Sequence, residues 1–233
     1  MMTAVVLQAR LDSSRLPGKA LIPLGGKPLV LRVMEALKGI ASDRYVLACP
    51  EDCMSTFGPW AEQADFDLIA GSKEDVLGRY CAAIRRFGID RVIRATGDNP
   101  FVFVDAANTL NQEAVSLKAD YAGYSGLPYG AGVESVAAEA LLRAERDASL
   151  PAEREHVCPY LYTHPERFRL HRPLAPLAWQ EPSLRISLDT PEDYQRAEVL
   201  FEALGTSGPG RFEGVAVIAA YHKSCESLAG VLP

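Results

Sequence analysis

Three cations stand close together near the start of the chain: Arg10, Arg15 and Lys19, in the run Gln8-Ala9-Arg10-Leu11-Asp12-Ser13-Ser14-Arg15-Leu16-Pro17-Gly18-Lys19. Guanidinium and ammonium groups beside small residues and a Pro-Gly turn suit a polyphosphate. Charge-assisted hydrogen bonds neutralise its oxygens, and backbone N–H groups line the turn. The same residues would also make a solvated surface loop. The run has neither the glycine-lysine spacing of a P-loop nor the three-glycine fingerprint of a dinucleotide fold. A Walker-type ATPase and a nicotinamide dehydrogenase are therefore unsupported.

Two acids are candidates for a metal. Asp98 lies in Gly97-Asp98-Asn99-Pro100, where it could cap a turn or ligate magnesium, which takes one or two carboxylates plus phosphate oxygens and water. Asp189 precedes Thr190-Pro191-Glu192-Asp193. There Thr190 reads as a helix cap and Glu192 and Asp193 already supply first-turn charge, so Asp189 is surplus to helix capping. Asp75 and Arg79 sit one helical turn apart and read as an i,i+4 ion pair. Glu134, Arg154, Glu155 and His156 read, on their own, as solvated charge.

The elements that must position these residues alternate. Strands are predicted at Thr3 to Gln8, Arg44 to Cys49, Phe66 to Ile69 and Arg91 to Thr96. Helices are predicted behind Pro28 through Leu37, from Pro50 toward Ala64, behind a capping box at Ser72-Lys73-Glu74-Asp75, and from Val104 to Lys118. Short connections between them predict a mostly parallel sheet covered on both faces, with ligands beyond the carboxyl ends of its strands. The basic loop and the Asp98 loop would then share one rim. From Ser125 to Pro182 the rhythm breaks. Helices are predicted over Ala137 to Arg146 and Ala152 to Thr163, with an antiparallel strand at Phe168 to His171. This stretch reads as an insertion over the rim or a dimer arm. A last strand at Leu184 to Leu188, a helix from Thr190 to Leu204, a linker from Gly205 to Gly210 and a helix near Gly214 to Ser224 complete the chain.

Composition agrees with an enzyme of ordinary type. The chain has 233 residues, 48% hydrophobic and 23% charged, with a net charge of −6, which argues against a nucleic-acid partner. It has no signal-peptide pattern and no run of about 18 apolar residues, so no membrane span is expected. Five cysteines at irregular spacing read as free thiols of a cytoplasmic protein rather than a metal or redox set.

The basic loop followed by Gly25-Gly26-Lys27-Pro28-Leu29 resembles the signature of the cytidylyltransferase family, which contains the CMP-Kdo and CMP-sialate synthetases. Gly71 to Tyr80, Arg94 to Phe101, Glu153 to Val157 and Leu188 to Tyr194 resemble, in order, the spore-coat polysaccharide biosynthesis protein F branch. The resemblance covers about residues 3 to 204. It implies a three-layer α/β/α sandwich of the glycosyltransferase-A-like nucleotidyltransferase kind. It implies that the first loop wraps the triphosphate of CTP, with Arg10 and Lys19 as the principal phosphate ligands. Gln8, Ala9, Ser13, Ser14 and Arg15 would assist, and Gly71, Asp75, Arg79, Thr96 and Gly97 would border the nucleotide. It implies magnesium held by Asp98 and Asp189. It places Glu134, Arg154, Glu155 and His156 at the acceptor and at a homodimer interface. One departure stands out: where relatives read Gly-Leu-Asp-Val-Glu, this chain has Gly130-Ala131-Gly132-Val133-Glu134, which leaves the acceptor open.

The expected reaction is transfer of CMP from CTP to a sugar acid or related glycan precursor, with loss of pyrophosphate, in a single nucleotidyltransferase domain of which residues 125 to 182 form the acceptor side. Other readings are a sugar-phosphate nucleotidyltransferase using another nucleoside triphosphate, and an inactive nucleotide-binding subunit of glycan assembly.

Overall fold

The computed structural model describes residues 1–205 and 212–229, with side chains through residue 224. The chain begins with β1 (Thr3–Gln8), a small hairpin of β2 (Pro23–Leu24) and β3 (Lys27–Pro28), and α1 (Leu29–Leu37). It continues through β4 (Arg44–Pro50), α2 (Met54–Gln63), β5 (Asp67–Gly71), α3 (Val76–Phe87), β6 (Arg91–Thr96), α4 (Val104–Ser116) and β7 (Tyr121–Ala122). β8 (Glu134–Ala137), α5 (Ala138–Asp147), α6 (Pro151–His156), α7 (Pro159–Thr163), β9 (Leu170–His171), α8 (Pro191–Leu204) and α9 (Gly214–Ala229) follow.

Among the described residues seven strands form one sheet in the order β5-β4-β1-β6-β8-β7-β9. The first four run parallel, and β8 is antiparallel to both of its neighbours. Helices cover both faces. In β1, Val5 and Leu7 pack into a core with α1, α2, α4 and α8, while Ala4 and Val6 pack into a second core with α3 and α5. A strand buried on both faces needs apolar residues at every position, which is why its sequence shows no alternation. Tyr80 of α3 locks the centre: its hydroxyl donates to the carbonyls of Val6 at 3.1 Å and Ala95 at 3.2 Å. The three-layer, mostly parallel architecture expected from the alternating pattern is the one observed.

The second half departs from expectation in ways that local chemistry explains. Residues 134–137, read as loop and helix start, form β8, whose Glu134 lies opposite Arg94 of β6. A charged residue inside a strand is accommodated here because its partner across the strand carries the opposite charge. Leu184 to Leu188 makes no extended strand. It forms a single bridge, Tyr129 to Arg185, and the N–H groups of Ile186 and Ser187 both donate to the Tyr129 carbonyl. The strand expected at Phe168 to His171 is the shorter β9, and it pairs parallel to β7, not antiparallel. The helix expected over 152 to 163 is two helices, broken at Val157. Ser72 does not open a capping box; Asp75 is the N-cap of α3, accepting from the Gly78 N–H at 2.9 Å. Most of the expected linker, residues 206–210, lies outside the described residues. No described helix is long and apolar enough to cross a membrane.

Candidate functional site

In the sheet register Gln8 pairs with Thr96, so the loops after β1 and β6 leave the rim side by side. Gly97 joins them. Its N–H donates to the Gln8 carbonyl at 2.9 Å, and a Cβ there would come within 3.0 Å of Ala9 Cβ and 3.2 Å of the Gln8 oxygen. The basic loop then turns through Ser13, whose hydroxyl accepts from the Leu16 N–H at 3.3 Å. It ends at Gly18, whose φ of 68° lies in the left-handed region that glycine adopts without strain. The 3-10 turn Lys19–Leu21 follows and directs Lys19 inward.

There Lys19 meets both candidate metal acids. Its Nζ is 3.0 Å from Asp189 Oδ1 and 3.4 Å from Asp98 Oδ2. Arg15 Nη2 is 3.2 Å from the same Asp189 oxygen, and Arg185 Nη2 is 2.5 Å from Asp189 Oδ2. The two acids are fixed independently of these cations. Asp98 Oδ1 accepts from the Thr96 hydroxyl at 2.6 Å, and its carbonyl accepts from the Leu188 N–H at 2.8 Å. The Asp189 N–H donates to Asp193 Oδ2 at 3.0 Å, which ties its backbone to the first turn of α8. Burial opposes ionisation of Asp189, but Lys19, Arg15 and Arg185 hold its carboxyl below the ordinary value.

Two cavities share this pair in their linings. The smaller, about 210 Å³, is lined by the basic loop from Gln8 to Arg15, Lys19, Val76 and Arg79 of α3, Gly97, Asp98, Glu155, His156 and Asp189. The larger, about 490 Å³, is lined by Arg94, Thr96, Asn99, Tyr121, Tyr124, Tyr129, Glu134 and Arg172 among others. Gln8, Arg15, Asp98, His156 and Asp189 line both. The acids and His156 therefore stand at the seam.

The remaining expected site residues divide. Arg79 is 3% exposed, has no acidic partner among the described residues, and donates to the carbonyls of Ser72 and Lys73. It makes no ion pair with Asp75. Asp75 instead pairs with Arg154, which also donates to the Glu145 carbonyl at 2.7 Å. Neither Asp75 nor Arg154 lines either of these two cavities. Gly71 lies against the Arg79 stem rather than in the cavity. Glu134 reaches the larger cavity with both oxygens engaged: Oε2 is 2.5 Å from Arg94 Nη1, and Oε1 accepts from the Tyr121 hydroxyl at 2.7 Å. Glu155 faces Arg10 at 3.7 Å.

Sequence reasoning missed several residues. Asp12 fastens the basic loop to the turn before α3 through Lys73 at 2.6 Å. Arg172 enters the larger cavity with its guanidinium over the Tyr162 ring, and nothing in its sequence surroundings marks it. The break after His156 was legible. Pro159 disfavours helix at the residue before it, and α7 begins at Pro159. Between the helices Val157 has φ 73° and ψ −56°, and the Cys158 N–H donates to the His156 carbonyl at 2.9 Å. That is the rare, strained form of γ-turn, here centred on a fully buried β-branched residue.

The residues fit a hard divalent cation. Among the described residues no group of at least three His, Cys, Asp or Glu side chains could hold a metal alone. Two carboxylates converging beside a basic loop match magnesium, which completes its shell with phosphate oxygens and water.

A mostly parallel, helix-covered sheet here carries a basic loop and paired acids on its carboxyl rim, where open α/β sheets bind their ligands. The chain belongs to the cytidylyltransferase family: residues 4–208 match the family described by that name. It is 31% identical over 207 residues to the spore coat polysaccharide biosynthesis protein SpsF of Bacillus subtilis (strain 168), covering 86% of each chain. Its fold is similar to that of a cytidylyltransferase from Leptospira borgpetersenii, with a TM-score of 0.88 at 24% identity over 97% of this chain and 96% of that one. It is also similar to a CMP:2-keto-3-deoxy-manno-octonic acid synthetase solved with CTP, with a TM-score of 0.67 at 17% identity over 86% of this chain and 98% of that one.

Proposed function

We propose that this cytidylyltransferase moves CMP from CTP to an oxygen of a sugar acid or related glycan precursor, releasing pyrophosphate. The observation that carries the reading is the meeting of Lys19, Asp98 and Asp189 where the two cavities join. A nucleotide in the smaller cavity and an acceptor in the larger would bring their reacting atoms together at these side chains. Catalysis would be positioning and charge neutralisation, as in other phosphoryl transfers.

In this reading Arg10, Arg15 and Lys19 bind the triphosphate, with Ser13, Ser14 and the loop backbone donating around it. The acceptor hydroxyl gives up its proton to water as its oxygen bonds to the α-phosphorus, and the bridging oxygen departs with pyrophosphate, whose charge the same cations stabilise. Magnesium, held by Asp98 and Asp189, would supply further neutralisation at the α-phosphate. Arg79, buried without an acidic partner, donates to acceptor atoms of the base. Cytosine offers two such atoms on one edge, where uracil places an N–H. Arg172 and His156 face the acceptor. The chain works in the cytoplasm as a homodimer, and sedimentation at micromolar concentration checks the second point.

Pyrophosphate release tests the reading. CTP, UTP, GTP and ATP are each supplied with magnesium against a panel of sugar acids and sugar phosphates. Release with CTP and at least one sugar acid, abolished by EDTA, is expected. Release that prefers another nucleotide, or that needs a sugar phosphate, overturns it.

A further inference from the structure

The two acids at the seam are already neutralised by the protein's own cations. Of these two acids Arg15 and Arg185 touch only Asp189, whereas Lys19 touches both carboxylates, at 3.0 and 3.4 Å, with its side chain only 16% exposed. Magnesium binds carboxylate oxygens at roughly 2.0–2.1 Å. An ammonium group at its present position would then lie within a few ångströms of that ion and repel it. Lys19 and a divalent cation therefore compete for the same two carboxylates. Lys19 also belongs to the loop that lines the smaller cavity, so an incoming triphosphate offers its ammonium group another set of anionic oxygens.

We propose that Lys19 is a resident counter-cation that keeps the Asp98–Asp189 pair closed to free divalent metal, and that nucleotide phosphates draw its Nζ away so that metal enters only together with nucleotide. This rests on reading the smaller cavity as the triphosphate site. A metal that bridges phosphate and carboxylate would by itself make the two ligands favour each other, and that coupling is reciprocal. The contribution specific to Lys19 is visible only without nucleotide: removing its charge should improve metal binding, although the same change removes a phosphate ligand.

Free Mn²⁺ is titrated into the nucleotide-free protein and the unbound ion is read by electron paramagnetic resonance. Lys19→Met is expected to bind Mn²⁺ about tenfold to a hundredfold more tightly than the wild type, the order set by one unit charge a few ångströms away in a partly screened site. Lys19→Arg keeps the charge and should stay near the wild type. Asp98→Asn in the Lys19→Met background should erase the gain, which places the ion at the pair. Lys19→Gln repeats the comparison if the Met variant melts below the assay temperature. Unchanged or weaker Mn²⁺ binding by the neutral variants overturns the proposal, and so does an equal gain in Lys19→Arg. Calorimetry of CTP with magnesium on the wild type separates this from the functional reading. Without CTP binding both fall; with CTP binding but no Mn²⁺ gain, only the counter-cation role falls.

Discussion

Asp193 shows how much one side chain carries at the edge of this site. It is 2% exposed, and its carboxylate accepts from the N–H groups of both Asp189 and Thr190 while meeting Arg185 and Arg196. Thr190 returns the bond by accepting from the Asp193 N–H, closing a capping box. Burial pushes its carboxyl upward, but the backbone N–H groups and the two guanidiniums outweigh that and leave it below the ordinary value of 3.8. A depressed folded-state pKa contributes stability that is full above the unfolded value and is lost as pH falls through the folded one. Asp193→Asn should therefore cost about 1–3 kcal/mol at neutral pH, the range for a cap or a buried hydrogen bond to a charged group. In urea titrations the gap between variant and wild type should close as pH falls below 3.8. A gap that stays constant with pH would assign the loss to packing instead. The sequence marked Asp193 as first-turn charge, but not as the group that holds Asp189 in place. Spacing reveals a cap, whereas a cap that also fixes a neighbouring functional acid appears only once α8 is packed.

Among the elements, the join between β6 and β8 is where expectation and structure part most usefully. Glu134 was expected at the acceptor, yet both of its oxygens are committed to Arg94 and Tyr121, and Arg94 continues to Gln8 at 3.2 Å. Its first duty is to let a charged strand enter the middle of the sheet. Glu134→Ala should destabilise the fold by about 3 kcal/mol, since it leaves the Arg94 charge largely buried and unpaired. The double change Arg94→Met with Glu134→Leu should recover most of that loss in chemical denaturation. If the double variant is as unstable as the sum of the single ones, the pair is not acting as a pair. The parallel half of the sheet was legible because strands buried on both faces must be continuously apolar and alternate with amphipathic helices. β8 was not, because four residues with a glutamate at the front carry no periodicity of their own. Likewise, α6 and α7 read as one helix from Ala152 to Thr163, although Pro159 disfavours helix at the residue before it.

At the scale of the whole molecule, the site is assembled from distant parts of the chain. Lys19 and Asp189 are 170 positions apart, and Asp98 lies 79 positions from Lys19. The Asp98 carbonyl to Leu188 N–H bond stitches the β6 rim to the lead-in of α8. The motifs were readable one by one, but their convergence depends on the strand order, which places β1 beside β6, and on α8 packing against β2, where the Tyr194 hydroxyl donates to the Pro23 carbonyl. A net charge of −6 conceals a rim lined by Arg10, Arg15, Lys19 and Arg79, so the global field and the local one oppose each other. A ligand that spans these segments binds the folded chain and not the unfolded one, and linkage then fixes its effect on stability. CTP with magnesium at about 100 times its dissociation constant should stabilise the protein by about 2.7 kcal/mol, visible as a raised melting temperature. Arg10→Ala, at a half-exposed position, should leave the ligand-free melting temperature within about 0.5 kcal/mol of the wild type. It should nevertheless reduce the shift at the same CTP concentration, because it weakens binding without touching the core. An undiminished shift in that variant would place the triphosphate elsewhere, away from the loop between β1 and the 3-10 turn.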